Sequence, residues 1–288
     1  MPELPEVEVV KKSLETKLSN LTIKKVKIIN KKLRYNINIK KLYKLVNRKI
    51  ISIKRRSKYL LINFDKNFTL LVHLGMTGKF FLIEKNNKKY KTSFYYKLSS
   101  NDTKHDHIYF YFNNKKKLVY NDVRKFGFVK IVNTSKVKFS SHIKFLGPEP
   151  LSKEFNKKYF IDYIQNKNKK IKDLLMDQKF VSGLGNIYCN EILFLSKINP
   201  NKQINKIKNI EIKKIIQFTK KILRKSIKEG GSSIKDFSNS DGNDGSFQQL
   251  FKVYGRINQN CKKKNCLGII KKIYLSNRAC FFCPKCQR

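Results

Sequence analysis

The first six residues, Met1-Pro2-Glu3-Leu4-Pro5-Glu6, combine an unusual potential nucleophile with two carboxylates. A small second residue permits removal of the initiator Met. Pro2 then becomes a chain end whose secondary amine titrates near neutrality, because α-amino groups have pKa values of about 7.7–8.0. Such an amine can attack an electrophilic carbon and form an iminium. Glu3 stands beside it as a proton donor, and Glu6 follows one turn later if a helix begins at Pro5, so that a reacting group could be both protonated and deprotonated. The plainer account of these residues is an ordinary helix start, with Pro at the first position and acids in the first turn. Residue types alone leave both readings open.

A second constellation lies at the other end. Cys261, Cys266, Cys283 and Cys286 form C-x4-C and C-x2-C pairs across a hairpin-sized gap. Four thiolates on two close turns make the tetrahedral sulfur site that structural Zn²⁺ prefers, with no position left for substrate. One structural Zn²⁺ is therefore expected. Between the pairs, Leu267–Tyr274 and Ala279–Phe282 read as strands joined at Leu275–Arg278, which puts Arg278 at a hairpin tip. Cys189 and Cys280 read as packed or spare thiols.

Three further groups carry weaker signals. Gly183-Leu184-Gly185-Asn186 joins two predicted helices, and a helix N-terminus capped by Asn186 offers N–H groups to a phosphate; an interhelical turn is the plainer account. Met76, in His73-Leu74-Gly75-Met76-Thr77-Gly78, and Arg124 and Phe126, in Asn121-Asp122-Val123-Arg124-Lys125-Phe126-Gly127, could fill a gap in a base stack, or Met76 and Phe126 could simply be core. Lys58 follows Arg55 and Arg56, two cations that could lower its proton affinity.

The elements that must position these residues follow from periodicity. Val7, Val10, Leu14 and Leu18 recur at helical spacing between Pro5 and Ser19. Seven β-branched and aromatic runs come next: Thr22–Ile29, Lys49–Phe64, Phe68–Leu74, Gly78–Ile83, His107–Phe112, Lys117–Tyr120 and Phe126–Val132, divided by polar turns such as Lys85–Lys89. They predict a β-sandwich capped by the first helix. From about Leu146 the pattern changes to helices near Asn156–Lys167, Lys169–Gln178, Asn186–Ser196 and Glu211–Lys228. A polar loop at Ser238–Ser246 follows, then the Cys-rich end. The expected fold is multidomain α+β, with a sandwich over 1–135, a linker over 136–152, a helical domain over 153–253 and a zinc finger over 254–288.

The chain has 288 residues, a formal charge of +45 and a pI near 10.1. So basic a protein suits a polyanion, nucleic acid above all. Lys, Asn, Ile, Phe and Tyr are abundant throughout, however, and drift toward A/T-rich codons could inflate the Lys count by itself. No stretch is apolar enough for a membrane span and no signal-peptide core is present, so a cytoplasmic protein with reduced cysteines is expected.

Met1-Pro2-Glu3-Leu4-Pro5-Glu6-Val7-Glu8 resembles the opening of formamidopyrimidine-DNA glycosylases, bifunctional enzymes that excise oxidised purines. Asn277 to Arg288 is similar to that family's terminal zinc finger, and Gly183 to Tyr188 to its helix–two-turn–helix motif. The resemblance runs from end to end, with Cys261 and Cys266 spaced more widely than is common and Cys280 standing where Thr is frequent. It implies Pro2 as nucleophile, Glu3 as acid with Glu6 nearby, and Lys58 and Arg278 as helpers in elimination. It also implies DNA contacts by His73, His105, Lys167 and Asn186, with Met76, Arg124 and Phe126 filling the space of a flipped nucleotide. The implied partner is damaged double-stranded DNA, met by a monomer in the nucleoid of a bacterium. Leu4 follows the purine-specific pattern rather than the Pro-Glu-Gly-Pro-Glu opening of endonuclease VIII-like relatives. A non-catalytic zinc-ribbon binder of nucleic acid is the reading outside that class.

Overall fold

The structure, a computed structural model, describes residues 2–84, 89–92, 103–231 and 250–288. The Ser238–Ser246 loop, Met1 and most of the Lys85–Lys89 turn lie outside the described residues. The chain divides into two compact units, one of Met1–Lys144 with Glu229–Ser246, the other of Phe145–Lys228 with Phe247–Arg288.

The first unit opens with helix α1 (Leu4–Leu18), followed by β1 (Ile23–Ile28), the short α2 (Ile39–Tyr43), β2 (Ile50–Arg56), β3 (Tyr59–Phe64), β4 (Phe68–His73), β5 (Gly78–Ile83), β6 (Lys89–Lys91), β7 (Asp106–Phe112), β8 (Lys117–Asp122) and β9 (Phe128–Asn133). One sheet has the order β1-β7-β8-β5-β6 and the other β2-β3-β4-β9, with antiparallel neighbours throughout. Alternate residues of both sheets enter one core, as in Leu60, Ile62, Leu70 and Val72 from one and Phe80, Leu82, Ile108 and Phe110 from the other. Val7, Val10, Leu14 and Leu18 of α1 close that core, one stripe of a 3.6-residue period.

Strand limits shift at several places, β8 running on to Asp122 and the strand expected over Leu267–Tyr274 starting only at Lys271, and two of the shifts have local reasons that bear on the site. The Lys49–Phe64 run is a hairpin, because Ser57 turns with φ 56° and Ser57-Lys58 joins β2 to β3. The Phe126–Val132 run begins as strand only at Phe128. Residues 123–127 instead form a loop at the end of the sandwich.

The second unit contains α3 (Lys157–Ile164), α4 (Ile171–Met176), α5 (Asn186–Ser196), α6 (Asn209–Lys228) and the hairpin β10 (Lys271–Leu275) and β11 (Arg278–Phe282). Phe155, Phe160, Phe180, Leu184, Tyr188 and Leu193 are among its fully buried residues. Cys189 and Cys280 are buried thiols. The carboxylate of Glu191, itself buried, accepts the N–H groups of Lys252, Val253 and Tyr254 at 2.8–2.9 Å and so fastens the segment leading to the four cysteines. Burial pushes its pKa up, and those three donors oppose the push.

Candidate functional site

The opening residues form a built turn rather than a loose end. Pro2, Glu3 and Glu6 are all buried. Glu6 accepts the backbone N–H of Glu3 at 2.9 Å, and the Glu3 side chain accepts the backbone N–H of Glu6, a capping box that fixes the backbone next to Pro2. Gly231, at φ +87°, passes close by, and a Cβ there would come within 3.3 Å of Glu6 Oε1. Two residues further along α1, Glu8 accepts from Arg55 Nε at 2.7 Å, while Arg55 Nη1 donates to Ser57 O at 2.9 Å. A single guanidinium therefore ties α1 to the tight turn that carries the buried Lys58. Arg55 was read as a cation acting on Lys58; here Glu8 offsets its charge.

His73 ends β4 and is stacked on Phe128 with ring centroids 5.8 Å apart. Its Nδ1 accepts the Gly75 N–H at 3.1 Å, leaving Nε2 as the donor. Burial first, then the charges of Lys58, Arg34 and His142, pushes its pKa down to about 4, so the ring is neutral near pH 7.

Met76, Arg124 and Phe126 are brought together at one end of the sandwich. Met76 and Phe126 are 39% and 46% exposed, which removes them from the core, and the Arg124 guanidinium lies 4.6 Å from the centroid of the Phe126 ring. What holds their two loops is Asp122, completely buried at the end of β8. One of its carboxylate oxygens accepts from Thr77 Oγ1 at 2.5 Å, and the other accepts from Gly127 N at 2.8 Å. Thr77 Oγ1 in turn accepts from Arg124 N at 3.0 Å. The loops touch so closely that a Cβ on Gly75, at φ +62°, would lie 2.4 Å from Gly127 N. Asp122 and Thr77 lie within the Asn121–Gly127 and His73–Gly78 motifs, but sequence reasoning assigns them no role. Their only sequence signal was polarity at the ends of apolar runs.

His105 is half-buried, and its carbonyl accepts from Asp122 N at 3.1 Å. Lys167 is exposed just beyond α3, its Nζ donating to Tyr163 O and lying over the Tyr163 ring.

In the second unit, Gly185 is the N-cap of α5 and Asn186 its first helical residue. The expected cap is thus displaced by one position. The Asn186 side chain is committed elsewhere: its Nδ2 donates to Ala279 O at 2.9 Å. Lys172 Nζ, from α4, donates to the same oxygen at 3.0 Å, and Asn190 Oδ1 accepts from Phe281 N at 2.7 Å. These three side chains fix the outer edge of β11. Ser276 and Asn277, both at positive φ, make the two-residue turn, so Arg278 is the first residue of β11, opposite Leu275, rather than the tip itself. It is exposed and lines a cavity of about 440 Å³ with Lys169, Lys172 and Asp173.

The four cysteines converge below this hairpin, their sulfurs all within 4.8 Å of one another. Cys261–Cys286 and Cys266–Cys283 are 3.8 and 3.7 Å apart. A tetrahedral site with Zn–S bonds of about 2.3 Å has sulfurs roughly 3.8 Å apart, so the donor set fits the metal in both chemistry and spacing. Hydrogen bonds from Cys286 and Gly268 bring the Cys266 thiol down to about 7, while burial pushes the Cys261 and Cys286 thiols up, so the metal-free cluster favours one thiolate among neighbouring thiols.

Comparison with known proteins decides the family. Residues 1–129 match the formamidopyrimidine-DNA glycosylase N-terminal domain, and residues 146–238 match the formamidopyrimidine-DNA glycosylase H2TH domain. The chain belongs to the formamidopyrimidine-DNA glycosylase family. The formamidopyrimidine-DNA glycosylase of Rickettsia bellii is 42% identical over 288 residues, and that of Roseobacter denitrificans 36%, with 100% of each chain covered. Among solved structures, a complex between Lactococcus lactis Fpg and abasic-site DNA has a TM-score of 0.85 at 36% identity over 99% of both chains. A complex of MutM with DNA containing carbocyclic 8-oxo-G has a TM-score of 0.84 at 35% identity over 100% of both. As a member of this family the chain is a base-excision repair enzyme acting on damaged DNA, a glycosylase with AP-lyase activity. Among the described residues no helix is long and apolar enough to cross a membrane.

Proposed function

We propose that this glycosylase removes oxidised purines, 8-oxoguanine and formamidopyrimidines, through a covalent intermediate on Pro2. The observation that carries the proposal is the buried opening turn, in which the Glu3–Glu6 capping box fixes the backbone at the chain end and Arg55 links α1 to the Lys58 turn. Once Met1 is removed, the Pro2 amine attacks C1′ of the damaged nucleoside while Glu3 protonates the opening sugar. The base departs with its bonding electron pair and an iminium joins enzyme to DNA. Elimination then expels the 3′ phosphate with help from Lys58, and afterwards the 5′ phosphate with help from Arg278, leaving a one-nucleoside gap. Glu6 acts by holding Glu3. Met76, Arg124 and Phe126 occupy the space of the extruded nucleotide. His73, His105, Lys167 and Asn186 contact the backbone, and a Zn²⁺ held by Cys261, Cys266, Cys283 and Cys286 maintains the hairpin of Arg278.

Borohydride tests this directly, since it reduces an iminium to a permanent bond. Zinc-loaded protein incubated with an 8-oxoguanine duplex and borohydride is expected to become cross-linked to DNA through Pro2, as located by peptide mapping. Retention of Met1 should abolish the adduct, because an amide nitrogen has no basic lone pair. Glu3→Gln should slow base removal more than reaction with a preformed abasic site. Cross-linking through Lys58 would reject Pro2 as the nucleophile, and better cutting of thymine glycol than of 8-oxoguanine would reject the purine preference.

A further inference from the structure

The sandwich carries a second feature that the excision site does not use. Two cavities of about 430 and 450 Å³ lie along β9 and share the walls formed by Lys41, Lys130, Ile131 and Ser141, so that they make one continuous groove. β9 is an edge strand, and among the described residues no strand pairs with it on the side away from β4. Its outer side faces the groove, flanked by α2 and by residues Thr134–Phe139.

The lining has a consistent chemistry. Lys41, Lys44, Lys130 and Lys136 all border the groove, and among the described residues no acid does. Two large aromatic side chains are held out at it rather than packed away: Tyr35, 49% exposed, at one cavity and Phe139, 67% exposed, at the other. Tyr35 is fixed edge-on against Phe128 with ring centroids 5.4 Å apart, and Lys138 lies over the Phe139 ring. Cations beside exposed aromatic rings, with Arg34 against Tyr35 as Lys138 is against Phe139, are what an unpaired nucleic-acid strand requires, the former for phosphates and the latter for bases. An acidic peptide would use the lysines and the strand edge but would leave the two rings unexplained.

The groove also adjoins the site already described. Phe128 stacks on His73 on one side and lies 4.6 Å from the His142 ring on the other, and His142 lines the groove. Burial first, then neighbouring cations, lowers the proton affinity of both rings: Lys58 and Arg34 act on His73, Lys130 and Arg34 on His142.

We propose that this groove binds a single-stranded stretch of DNA, with bases on Tyr35 and Phe139 and phosphates on Lys41, Lys44, Lys130 and Lys136. That the strand is continuous with the one held at His73 rests on the DNA-contact role proposed above; single-strand binding itself does not.

The test uses full-length, zinc-loaded protein and a fluorescent oligothymidylate. A variant carrying Lys41→Glu, Lys130→Glu and Lys136→Glu should bind it at least tenfold more weakly than one carrying Lys24→Glu, Lys25→Glu and Lys27→Glu, three exposed lysines on and beside the outer face of β1. The two variants change net charge equally, so equal losses would assign binding to general surface charge and overturn the proposal. Tyr35→Ala and Phe139→Ala should each weaken binding by about tenfold, the scale of one lost base stack. No effect of either, together with displacement of the oligonucleotide by polyglutamate, would overturn it in favour of an acidic peptide. Excision on a blunt lesion duplex reports folding of the variants and separates the two readings. If wild-type protein bound the oligonucleotide without excising an oxidised purine, the proposed purine excision would fall and the groove would stand. The reverse result would sink the groove alone.

Discussion

The loops that carry Met76, Arg124 and Phe126 and the hairpin that carries Arg278 present similar kinds of side chain, yet they are held in opposite ways. The loops grow out of nine strands packed around one core, and a single buried carboxylate, Asp122, suffices to join them. The hairpin has two strands and little core of its own. It is fastened from outside, by Lys172, Asn186 and Asn190 along β11 and by four sulfurs at its base. A two-stranded ribbon is marginal in water, so position must come from attachments. The contrast locates vulnerability: core and one anion in the first unit, many small ties and four converging sulfurs in the second.

Metal removal should reveal the largest difference. Structural zinc contributes on the order of 10–16 kcal/mol to small sulfur sites, more than any single side-chain contact. Chelation, or Cys283→Ser, should therefore abolish hydrogen-exchange protection in β10 and β11 and lower affinity for an abasic-site duplex at least a hundredfold, while β3 and β4 stay protected. Full protection of the hairpin without metal would break the comparison.

Asp122→Asn comes next. It replaces an acceptor with an amide that cannot satisfy both Thr77 Oγ1 and Gly127 N, and leaving a buried group unsatisfied costs about 2–3 kcal/mol. Urea melts should show that loss. Discrimination between cytosine and adenine opposite the lesion should fall too, since the Arg124 guanidinium, which we propose faces the base left unpaired by extrusion, is carried by the loop that Asp122 holds. A melt shift without any loss of discrimination would make Asp122 a stability residue only.

How much was legible in the sequence follows the same division. Apolar periodicity gave α1 and nearly every strand because burial itself writes that pattern, and the four cysteines announce their site because few other arrangements use such spacing. Pro2 and Glu3 could be named, although the capping box that makes Glu6 a support was visible only as an acid in a first turn. Asp122, Glu191 and Lys172 were not legible. A buried polar residue leaves no periodic trace, and its partners here lie 5 to 107 positions away in the chain. The break at Ser57-Lys58 was missed for another reason: no Gly or Pro marks a turn that a serine takes at positive φ.

His73 offers a test of the first unit alone. Its pKa is about 4 in the folded protein against an ordinary 6.5, so the unfolded chain binds the proton first as pH falls. Stability from this group is fully present above pH 6.5 and is lost between pH 6.5 and 4, by at most about 3 kcal/mol. His142 is shifted in the same direction, so the informative quantity is the difference between wild type and His73→Gln. Urea midpoints should converge as pH drops through that window. Parallel curves would mean that His73 is protonated as readily in the fold as outside it.

The smallest expected effects are the most discriminating for the second unit. Leu275 and Arg278 close a two-residue turn, so Tyr274 and Ala279 form the next, non-hydrogen-bonded pair, and the Ala279 carbonyl faces away from β10. It receives Lys172 Nζ and Asn186 Nδ2 instead. Either donor alone satisfies it, so Lys172→Met should cost about 1 kcal/mol, partly offset by no longer burying an ammonium, and Asn186→Ala about the same. Together they leave the carbonyl with no side-chain donor, and the double variant should lose roughly 1 kcal/mol more than the sum. The excess should appear in DNA cleavage as well as in melting, because Arg278 precedes Ala279 directly: strand scission at a preformed abasic site should slow more than base removal does. Strict additivity would show that the two ties act on the hairpin independently, and that the zinc site rather than the edge of β11 sets where Arg278 stands.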